Sequence, residues 1–278
     1  MRIALFGYGG VGKAFVRLIS QRQDQLSLMG MPVTLTCVAG RKGGIYDERG
    51  IDTVSLARFS AEGAEMMGFT GFSDGVDVET VIAGGNTDLA VIATPTDRKT
   101  GKPGIDIIKK LLKSGIHVVT ADKGPVLLAY DELAKTAKKN GVQFTAGCTT
   151  GGALPAINGG MIDMAGAEIR SIEGVLNGTT NYILDRMETS GISLCEALEE
   201  AKRAGIAEAD PSLDIEGWDT AIKLLILAKL HMGIDASLDN VRVQGITGLT
   251  PLHIEQAKKA GLRYRLIGRA KKNHRRQP

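Results

Sequence analysis

The first half of the chain alternates short apolar runs with stretches of helical periodicity. The apolar runs are continuous, which is typical of strands covered by helices on both faces. They predict strands at 2–6, 33–39, 89–94, 116–120 and 142–146, with helices at about 11–22, 103–114 and 130–140. This βαβα order predicts an α/β fold with a parallel, doubly wound sheet. The Gly-rich stretch 43–85 has a weak pattern, and we place no elements in it.

The pattern changes after Gly151-Gly152. It predicts a strand at 169–174 and helices at 179–189, 193–204 and 217–232, with a fourth helix that begins at Thr250-Pro251. Ser193 stands three residues before Glu196, which is a capping-box pattern. We therefore expect two domains, 1–150 and 151–278, of which the second is α+β.

A glycine motif follows the first predicted strand and opens the first helix. Its sequence, Gly7-Tyr8-Gly9-Gly10-Val11-Gly12, fits G-x-G-x-x-G, in which glycines and free N–H groups let a pyrophosphate approach the backbone. An ordinary tight turn is the alternative interpretation. With a strand before it and a helix after it, the motif favours a Rossmann dinucleotide-binding domain.

The end of the second predicted strand bears on which dinucleotide binds. An NAD site usually has an Asp or Glu there, which accepts from the ribose 2′-hydroxyl. This chain has Gly40-Arg41-Lys42 and no carboxylate before Asp47. Two cations suit a 2′-phosphate, so NADP is favoured and NAD is the alternative. Arg41 and Lys42 could otherwise be two solvated surface cations.

Composition excludes several classes of protein. Apolar residues make up 43% of the 278 and charged residues 23%, which is an ordinary globular balance and not that of a disordered chain. No apolar run approaches the ~18 residues of a membrane span, and the N-terminus does not read as a signal peptide. Three cysteines without C-x-x-C spacing predict no disulfide framework and suit a reducing cytoplasm.

The net charge of +3 has an uneven distribution. Nine of the 34 Lys and Arg residues lie in 256–278, and all 31 Asp and Glu residues precede that segment. The body of the chain is therefore acidic. The basic end has few aromatic residues and no recognised nucleic-acid motif, so we interpret it as a solvated tail.

Polar residues in the second half form a candidate substrate site. Asp219 and Lys223 are four residues apart on one predicted helix and so share a face. Taken alone they could be a solvated ion pair. With Glu208, Asp214 and the Asn177-Gly178-Thr179-Thr180 loop, they indicate a pocket for a zwitterion, in which carboxylates hold an ammonium group and backbone N–H groups a carboxylate.

These motifs together resemble the homoserine dehydrogenase family over nearly the whole chain. The matching segments are the glycine loop, Asn177-Gly178-Thr179-Thr180-Asn181-Tyr182-Ile183-Leu184, Ala207-Glu208-Ala209-Asp210-Pro211 and Asp219-x-x-x-Lys223. The resemblance implies reversible hydride transfer between L-aspartate 4-semialdehyde and L-homoserine with NADP(H) or NAD(H), in threonine, methionine and isoleucine biosynthesis. It also implies a homodimer formed through the second half. We expect neither a nucleic-acid partner nor a membrane.

Site residues follow from the resemblance position by position. Thr120-Ala121-Asp122-Lys123 resembles the family's Thr-Ala-Asn-Lys, whose lysine lies near nicotinamide and substrate. The resemblance implies Lys223 as the acid–base candidate, Lys123 as its electrostatic partner and Asp219 as a further catalytic residue. The implied cofactor-binding residues are Gly7, Gly9, Gly10, Val11, Gly12, Arg41, Lys42, Thr94 and Lys123. The implied substrate-binding residues are Gly178, Thr179, Glu208, Asp214, Asp219 and Lys223.

Several positions depart from the family pattern. Asp122 replaces the usual Asn, and Ile206 stands where an aromatic residue is common. Gly147 stands where some members carry a Glu that helps bind a monovalent cation, so a metal would rely on main-chain oxygens around Thr150 and Gly152. Members usually continue past residue 268 into further strand, so we expect the second domain, 151–278, to be truncated.

Two other functions remain open from the residues. Gly147-Cys148-Thr149-Thr150 resembles the Cys-Thr-Thr of phosphorylating aldehyde dehydrogenases, whose cysteine forms a thioester. Such a cysteine needs a base, normally His, and none of the four histidines lies in a motif that supplies one, so we interpret Cys148 as a small packed residue. A truncated homologue could also bind cofactor without catalysis.

Overall fold

The structure is a computed structural model that describes residues 1–272. Its internal contacts divide the chain into two compact units, one of residues Met1–Thr149 and one that begins at Thr150. Part of the basic end, including His274, Arg275 and Arg276, lies outside the described residues. No helix within 1–272 is long and apolar enough to cross a membrane.

The first unit is built around a seven-stranded sheet, counted over residues 1–272. The strands are β1 (Arg2–Phe6), β2 (Thr34–Gly40), β3 (Gly43–Tyr46), β4 (Phe72–Ser73), β5 (Leu89–Ile92), β6 (His117–Thr120) and β7 (Phe144–Thr145). Their order is β4-β3-β2-β1-β5-β6-β7. The five strands from β2 to β7 in this order are parallel, whereas β3 and β4 extend the sheet antiparallel.

Helices cover both faces of this sheet, as the continuous apolar strands predict. The helices are α1 (Gly10–Leu28), α2 (Thr53–Ala61), α3 (Val78–Gly84), α4 (Gly104–Lys113) and α5 (Lys123–Lys139). Successive side chains of a strand point to opposite faces. Ile3 and Leu5 accordingly pack with α1 and α2 residues, whereas Ala4 and Phe6 pack with residues of α3, α4 and α5. The expected doubly wound α/β fold is confirmed.

The structure corrects the predicted elements at two places. The stretch 43–85, where we placed none, contains β3, β4, α2 and α3. α5 begins at Lys123 and is kinked at the non-helical Ala129 (φ −141°, ψ 16°), so the helix predicted at 130–140 corresponds to the part after the kink and a further helical part precedes it. Gly124-Pro125 resembles a helix breaker in the sequence, but the first turn tolerates proline because its N–H would lack an intrahelical partner anyway. The sequence pattern therefore missed only the part of α5 before Ala129.

The second unit is mainly helical with one small sheet. Its elements are α6 (Ala156–Asn158), β8 (Ser171–Gly174), α7 (Gly178–Ser190), α8 (Leu194–Arg203), α9 (Ser212–Ile215), α10 (Trp218–Met232), α11 (Pro251–Lys259) and β9 (Gly268–Lys271). β8 and β9 pair antiparallel. The capping box predicted at Ser193 is present, and Thr250 caps α11, which begins at Pro251 as predicted. Ile183, Leu184 and Met187 of α7 form the centre of a buried cluster with residues of α8 and α11.

Candidate active site

A buried asparagine organises the polar residues of the second unit. Asn177 is the N-cap of α7 and is 4% exposed. Its Oδ1 accepts from the Thr180 backbone N–H at 2.8 Å. Its Nδ2 donates to Asp214 Oδ1 at 2.6 Å and to Asp219 Oδ2 at 2.9 Å. One amide group therefore caps a helix and joins two carboxylates that lie 37 and 42 residues further along the chain.

The amino group of Lys223 meets the same cluster from α10. Lys223 Nζ lies 2.7 Å from Asp219 Oδ2 and donates to the Leu176 carbonyl oxygen at 2.8 Å. The side chains of Lys223 and Asp219 are 18% and 10% exposed. An ammonium group has three N–H donors; the third has no acceptor among residues 1–272. The Lys223 ammonium group is thus largely buried and held in one orientation, with one N–H left for a ligand.

The start of α7 supplies donors of a second kind. The first N–H groups of an α-helix have no intrahelical partner, and Asn177 accepts only from Thr180. The N–H groups of Gly178 and Thr179 have no acceptor in the described part of the chain, and Gly178 is exposed. Thr179 Oγ1 donates to the Ile206 carbonyl oxygen at 3.2 Å, which ties this turn to the segment that carries Glu208. Glu208 is exposed and makes no hydrogen bond with residues 1–272.

The glycine loop of the first unit lies between the carboxyl end of β1 and the start of α1. Gly7 has φ +102°, and a Cβ there would overlap the Ala93 carbonyl group. A Cβ at Gly12 would overlap the carbonyl oxygen of Gly7. Gly9 and Gly10, by contrast, would have no atom within 4 Å of an added Cβ. Two glycines therefore close the turn, and two leave open space at a helix N-terminus, which fits a bound pyrophosphate.

Arg41 and Lys42 form the two-residue turn between β2 and β3, where Gly40 pairs with Gly43. Both side chains are exposed. β2 is the parallel neighbour of β1, so this turn and the glycine loop lie at the same edge of the sheet. A dinucleotide on the glycine loop extends along that edge toward the end of the second strand. The turn thus offers two cations where the adenosine ribose is expected.

Thr94, Asp122 and Lys123 lie at the carboxyl ends of the next two strands. Asp122 is the N-cap of α5 and is 1% exposed. It accepts from the Thr94 hydroxyl at 2.8 Å and from the Gly124 backbone N–H at 2.9 Å. Burial raises the pKa of Asp122, against the lowering effect of its hydrogen bonds and of Lys123. The backbone N–H of Lys123 donates to Thr96 Oγ1 at 3.3 Å.

Family models match both units of the chain. Residues 1–148 match the oxidoreductase family with an NAD-binding Rossmann fold, and residues 155–277 match homoserine dehydrogenase. A homoserine dehydrogenase of Methanocaldococcus jannaschii is 38% identical over 271 residues, which is 98% of this chain and 81% of that protein. The chain belongs to the homoserine dehydrogenase family.

Other members of the homoserine dehydrogenase family agree with this assignment. An NAD(+)-dependent homoserine dehydrogenase of Pseudomonas canavaninivorans is 34% identical over 98% of this chain and 78% of its own length. A hyperthermophilic archaeal homoserine dehydrogenase mutant in complex with NADPH superposes with TM-score 0.79 at 25% identity, over 98% of this chain and 78% of that one. The homoserine dehydrogenase of Thiobacillus denitrificans superposes with TM-score 0.78 at 27% identity, over 99% of this chain and 58% of that one.

Membership of the homoserine dehydrogenase family disfavours the thioester chemistry considered for Cys148. Our interpretation of Cys148 as a packed residue is wrong, since the residue is exposed. Its Sγ donates to the Thr120 carbonyl oxygen at 3.4 Å, and partial burial raises the pKa of the thiol. A nucleophilic cysteine needs a lowered pKa, so the environment favours the unreactive thiol.

Sequence reasoning missed two residues of this homoserine dehydrogenase site. Asn177 was part of a recognised motif but was not assigned a role, although Asn followed by Gly-Thr-Thr before a helix is an N-cap signal. Leu176 contributes only its carbonyl oxygen, and backbone acceptors leave no trace in a sequence. Thr94, assigned to the cofactor, donates its hydroxyl to Asp122.

Residues 1–272 hold no cluster of three His, Cys, Asp or Glu residues placed to ligate a metal. Thr150 Oγ1 is buried and has no hydrogen-bond partner within that range. Gly152 has φ +58°. The unpaired buried oxygen of Thr150 fits an oxygen-ligated cation, because hard cations prefer oxygen ligands, whereas the positive φ of Gly152 is ordinary for glycine.

Proposed function

We propose that this chain is a homoserine dehydrogenase, which interconverts L-aspartate 4-semialdehyde and L-homoserine with NADP(H). The observation that carries the proposal is the placement of Lys223. Its ammonium group is held by Asp219 and the Leu176 carbonyl oxygen, and it has one N–H without an acceptor among residues 1–272. That donor is suited to the oxygen of a small carbonyl substrate.

The surrounding groups suit the rest of an amino-acid substrate. The carboxylates of Glu208 and Asp214 would bind the ammonium group, since an ionised carboxylate is a strong acceptor. The unpaired N–H groups of Gly178 and Thr179 would bind the substrate carboxylate, which the positive end of the α7 dipole also attracts. The second unit thus offers carboxylates for the substrate's ammonium group and N–H donors for its carboxylate.

NADPH, when bound, supplies the hydride that reduces the aldehyde carbon. Negative charge then develops on the substrate oxygen, where a fixed ammonium group lowers the energy of the transition state. Lys223 also supplies the proton to that oxygen, or takes it back in the reverse direction. Asp219 holds the amino group in place, and Asn177 holds Asp219. We assign Lys123 as a second electrostatic group and as a cofactor ligand.

The first unit would hold the dinucleotide with its glycine loop. The open space at Gly9 and Gly10 fits the pyrophosphate, and the exposed side chains of Arg41 and Lys42 fit a 2′-phosphate. This supports NADP over NAD. We also propose that a monovalent cation binds at oxygens around Thr150 and Gly152, and that the enzyme is a homodimer formed through the second unit.

The deciding experiment measures NADPH oxidation by the purified chain with L-aspartate 4-semialdehyde, followed by loss of NADPH absorbance. We expect oxidation that depends on the semialdehyde and yields homoserine. Measurable NADPH binding without oxidation would instead support a cofactor-binding homologue that has lost catalysis. Acetaldehyde as a matched substrate tests the charged groups, since it lacks both the ammonium and the carboxylate.

A further inference from the structure

Asp122 is a buried carboxylate whose two oxygens bind different parts of the first unit. It follows β6 and precedes α5, and it is 1% exposed. Oδ2 accepts from the hydroxyl of Thr94, which follows β5. Oδ1 accepts from the backbone N–H of Gly124 in the first turn of α5. Burying an anion is costly unless it is hydrogen bonded, and here the bonds come from two separate elements.

Two further threonines complete the arrangement. Thr120 Oγ1, at the end of β6, accepts from the Asp122 backbone N–H at 3.0 Å. Thr96 Oγ1 accepts from the backbone N–H of Lys123, the next residue along the chain, at 3.3 Å. The segment 94–96 and the start of α5 are therefore joined both through the carboxylate and directly beside it.

The Asp122 side chain is closely packed on several sides. A Cβ on Gly104, the first residue of α4, would lie 2.6 Å from Asp122 Oδ2 and 2.7 Å from Pro125 Cγ. A Cβ on Gly124 would lie 2.8 Å from the Asp97 carbonyl oxygen. The starts of α4 and α5 and the segment after β5 thus meet around one side chain. Because protein interiors are close-packed, a displacement of that side chain shifts its neighbours.

The same segment contacts the glycine loop. An added Cβ on Gly7 would lie 2.8 Å from the backbone nitrogen of Thr94, and the Ala93 N–H donates to the Phe6 carbonyl oxygen at 2.7 Å. Thr94 therefore contacts the glycine loop through its backbone and Asp122 through its hydroxyl. A continuous set of contacts runs from the glycine loop to the start of α5, where Lys123 lies.

We propose that Asp122 is a positioning residue, which joins the segment after β5 to the start of α5 and so sets the geometry of the glycine loop and Lys123 for NADPH. This inference rests on the proposed function for its ligand. It predicts that shape and hydrogen bonding at this position matter more than charge. An amide can serve as well, because its oxygen accepts from Gly124 while its nitrogen donates to Thr94 Oγ1, whose hydroxyl can act as donor or acceptor.

The test compares the NADPH dissociation constants of Asp122→Ala and Asp122→Asn, measured by fluorescence titration without any aldehyde. We expect Asp122→Ala to weaken NADPH binding by about tenfold or more, the usual cost of losing hydrogen bonds to a charged group. Asp122→Asn should stay within about threefold of the wild type. If Asp122→Ala does not fold, Thr94→Val removes one donor and should weaken binding a few-fold.

Asp52→Ala is the matched control. Asp52 is also an N-cap of the first unit, where it accepts from the backbone N–H groups of Val54 and Ser55 at 3.0 and 3.1 Å. The Asp52→Ala substitution should lower the melting temperature without changing NADPH binding. With the semialdehyde, Asp122→Ala should raise the KM for NADPH more than the KM for the aldehyde.

Wild-type NADPH binding by Asp122→Ala would overturn the proposal, as would equal weakening by Asp122→Ala and Asp122→Asn. Equal weakening by Asp52→Ala would show a general effect of stability and would also overturn it. These titrations need no turnover. A wild-type chain that binds NADPH but does not reduce the semialdehyde would therefore refute the proposed reaction while leaving the role of Asp122 measurable.

Discussion

Lys223 and Asp219 form an ion pair of 2.7 Å within one helix, and the same Asp219 oxygen accepts from Asn177. Residues four apart in a helix often pair on the surface, where the pair contributes little. Here both side chains are largely buried, and Lys223 also donates to the Leu176 carbonyl oxygen. The pair is therefore part of a directed network, in which the lysine cannot turn toward solvent without losing its ion pair with Asp219 and its hydrogen bond to the Leu176 carbonyl oxygen.

Replacing Lys223 should remove catalysis while leaving cofactor binding intact. We expect Lys223→Met to lower kcat/KM for the semialdehyde by about 10²–10⁴-fold, the usual contribution of a positioned acid–base group. Lys223→Arg should also be impaired, because a guanidinium group does not release its proton. Lys229→Met is the control, since Lys229 lies on the same helix and pairs with Asp235. Equal losses in the two Met variants would contradict the role given to Lys223.

Asn177→Ala and Ser193→Ala separate helix capping from substrate binding. Each removes an N-cap side chain, from α7 and α8 respectively, and should lower the free energy of unfolding by about 1 kcal/mol. Asn177→Ala also removes the amide donor that binds Asp214 and Asp219, at a further cost of about 1–3 kcal/mol. Steady-state kinetics should show at least about a tenfold loss for Asn177→Ala only. A comparable loss for Ser193→Ala would mean that turnover follows stability alone.

The glycine loop contains two positions at which alanine should fail for different reasons. Gly12→Ala places a Cβ against the Gly7 carbonyl oxygen and should lower the melting temperature. Gly9→Ala meets no protein atom within 4 Å, so the fold should survive while NADPH binding weakens by about tenfold or more, because the methyl group occupies the pyrophosphate's space. Gly75→Ala, also in open space, should change neither. Normal NADPH binding by Gly9→Ala would place the cofactor elsewhere.

Arg41 and Lys42 should set the preference for NADPH over NADH. Arg41→Ala and Lys42→Ala should each weaken NADPH binding by about tenfold, as expected for loss of a charge-assisted phosphate contact, with little effect on NADH. Arg49→Ala is a suitable control, because Arg49 is exposed and pairs only locally with Asp47. Unchanged NADPH affinity in both variants would make the two residues ordinary surface cations.

Asp122 should give the stability of the fold a recognisable pH dependence. Burial raises its pKa, so the folded chain binds this proton more tightly than the unfolded chain does. The stabilisation is fully present below the unfolded pKa of about 3.9 and is lost as pH rises through the folded pKa. Asp122→Asn has no such proton. Denaturant unfolding at a series of pH values should therefore shift in favour of the variant as pH rises above about 4, by about 1.4 kcal/mol for each unit of pKa elevation. A difference that is constant with pH would contradict this.

The elements that could be predicted from the sequence are those with strong local signals. β1 was predicted at its observed bounds, and the α8 capping box followed from Ser193 and Glu196. β3 and β4 have four and two residues and include Gly43 and Gly44, so neither periodicity nor β-propensity marks them. Their place in the sheet comes from pairing with β2, which is a tertiary effect.

The candidate site also has one part that the sequence could predict and one that it could not. The residue types of Lys223, Asp219 and Asp214 were recognisable from motifs, and the spacing of Lys223 and Asp219 predicted a shared helix face. That Asn177 joins Asp214 to Asp219 depends on contacts across 37 and 42 residues, which no local pattern specifies. The exposure of Cys148 likewise depends on the folded backbone around it.

The pairing of β8 with β9 can form only late in the synthesis of the chain. Gly174, three residues before the loop of Asn177, Gly178, Thr179 and Thr180, pairs with Gly268, and Glu173 binds Arg269 through two hydrogen bonds of 2.7 and 2.9 Å. Chains emerge from the ribosome amino end first, so α7 and α10 are available for folding before this strand partner exists. The strand that leads into the loop of Asn177 therefore gains its pairing partner only after β9 has been translated, and until then Leu176 approaches Lys223 from an unpaired strand.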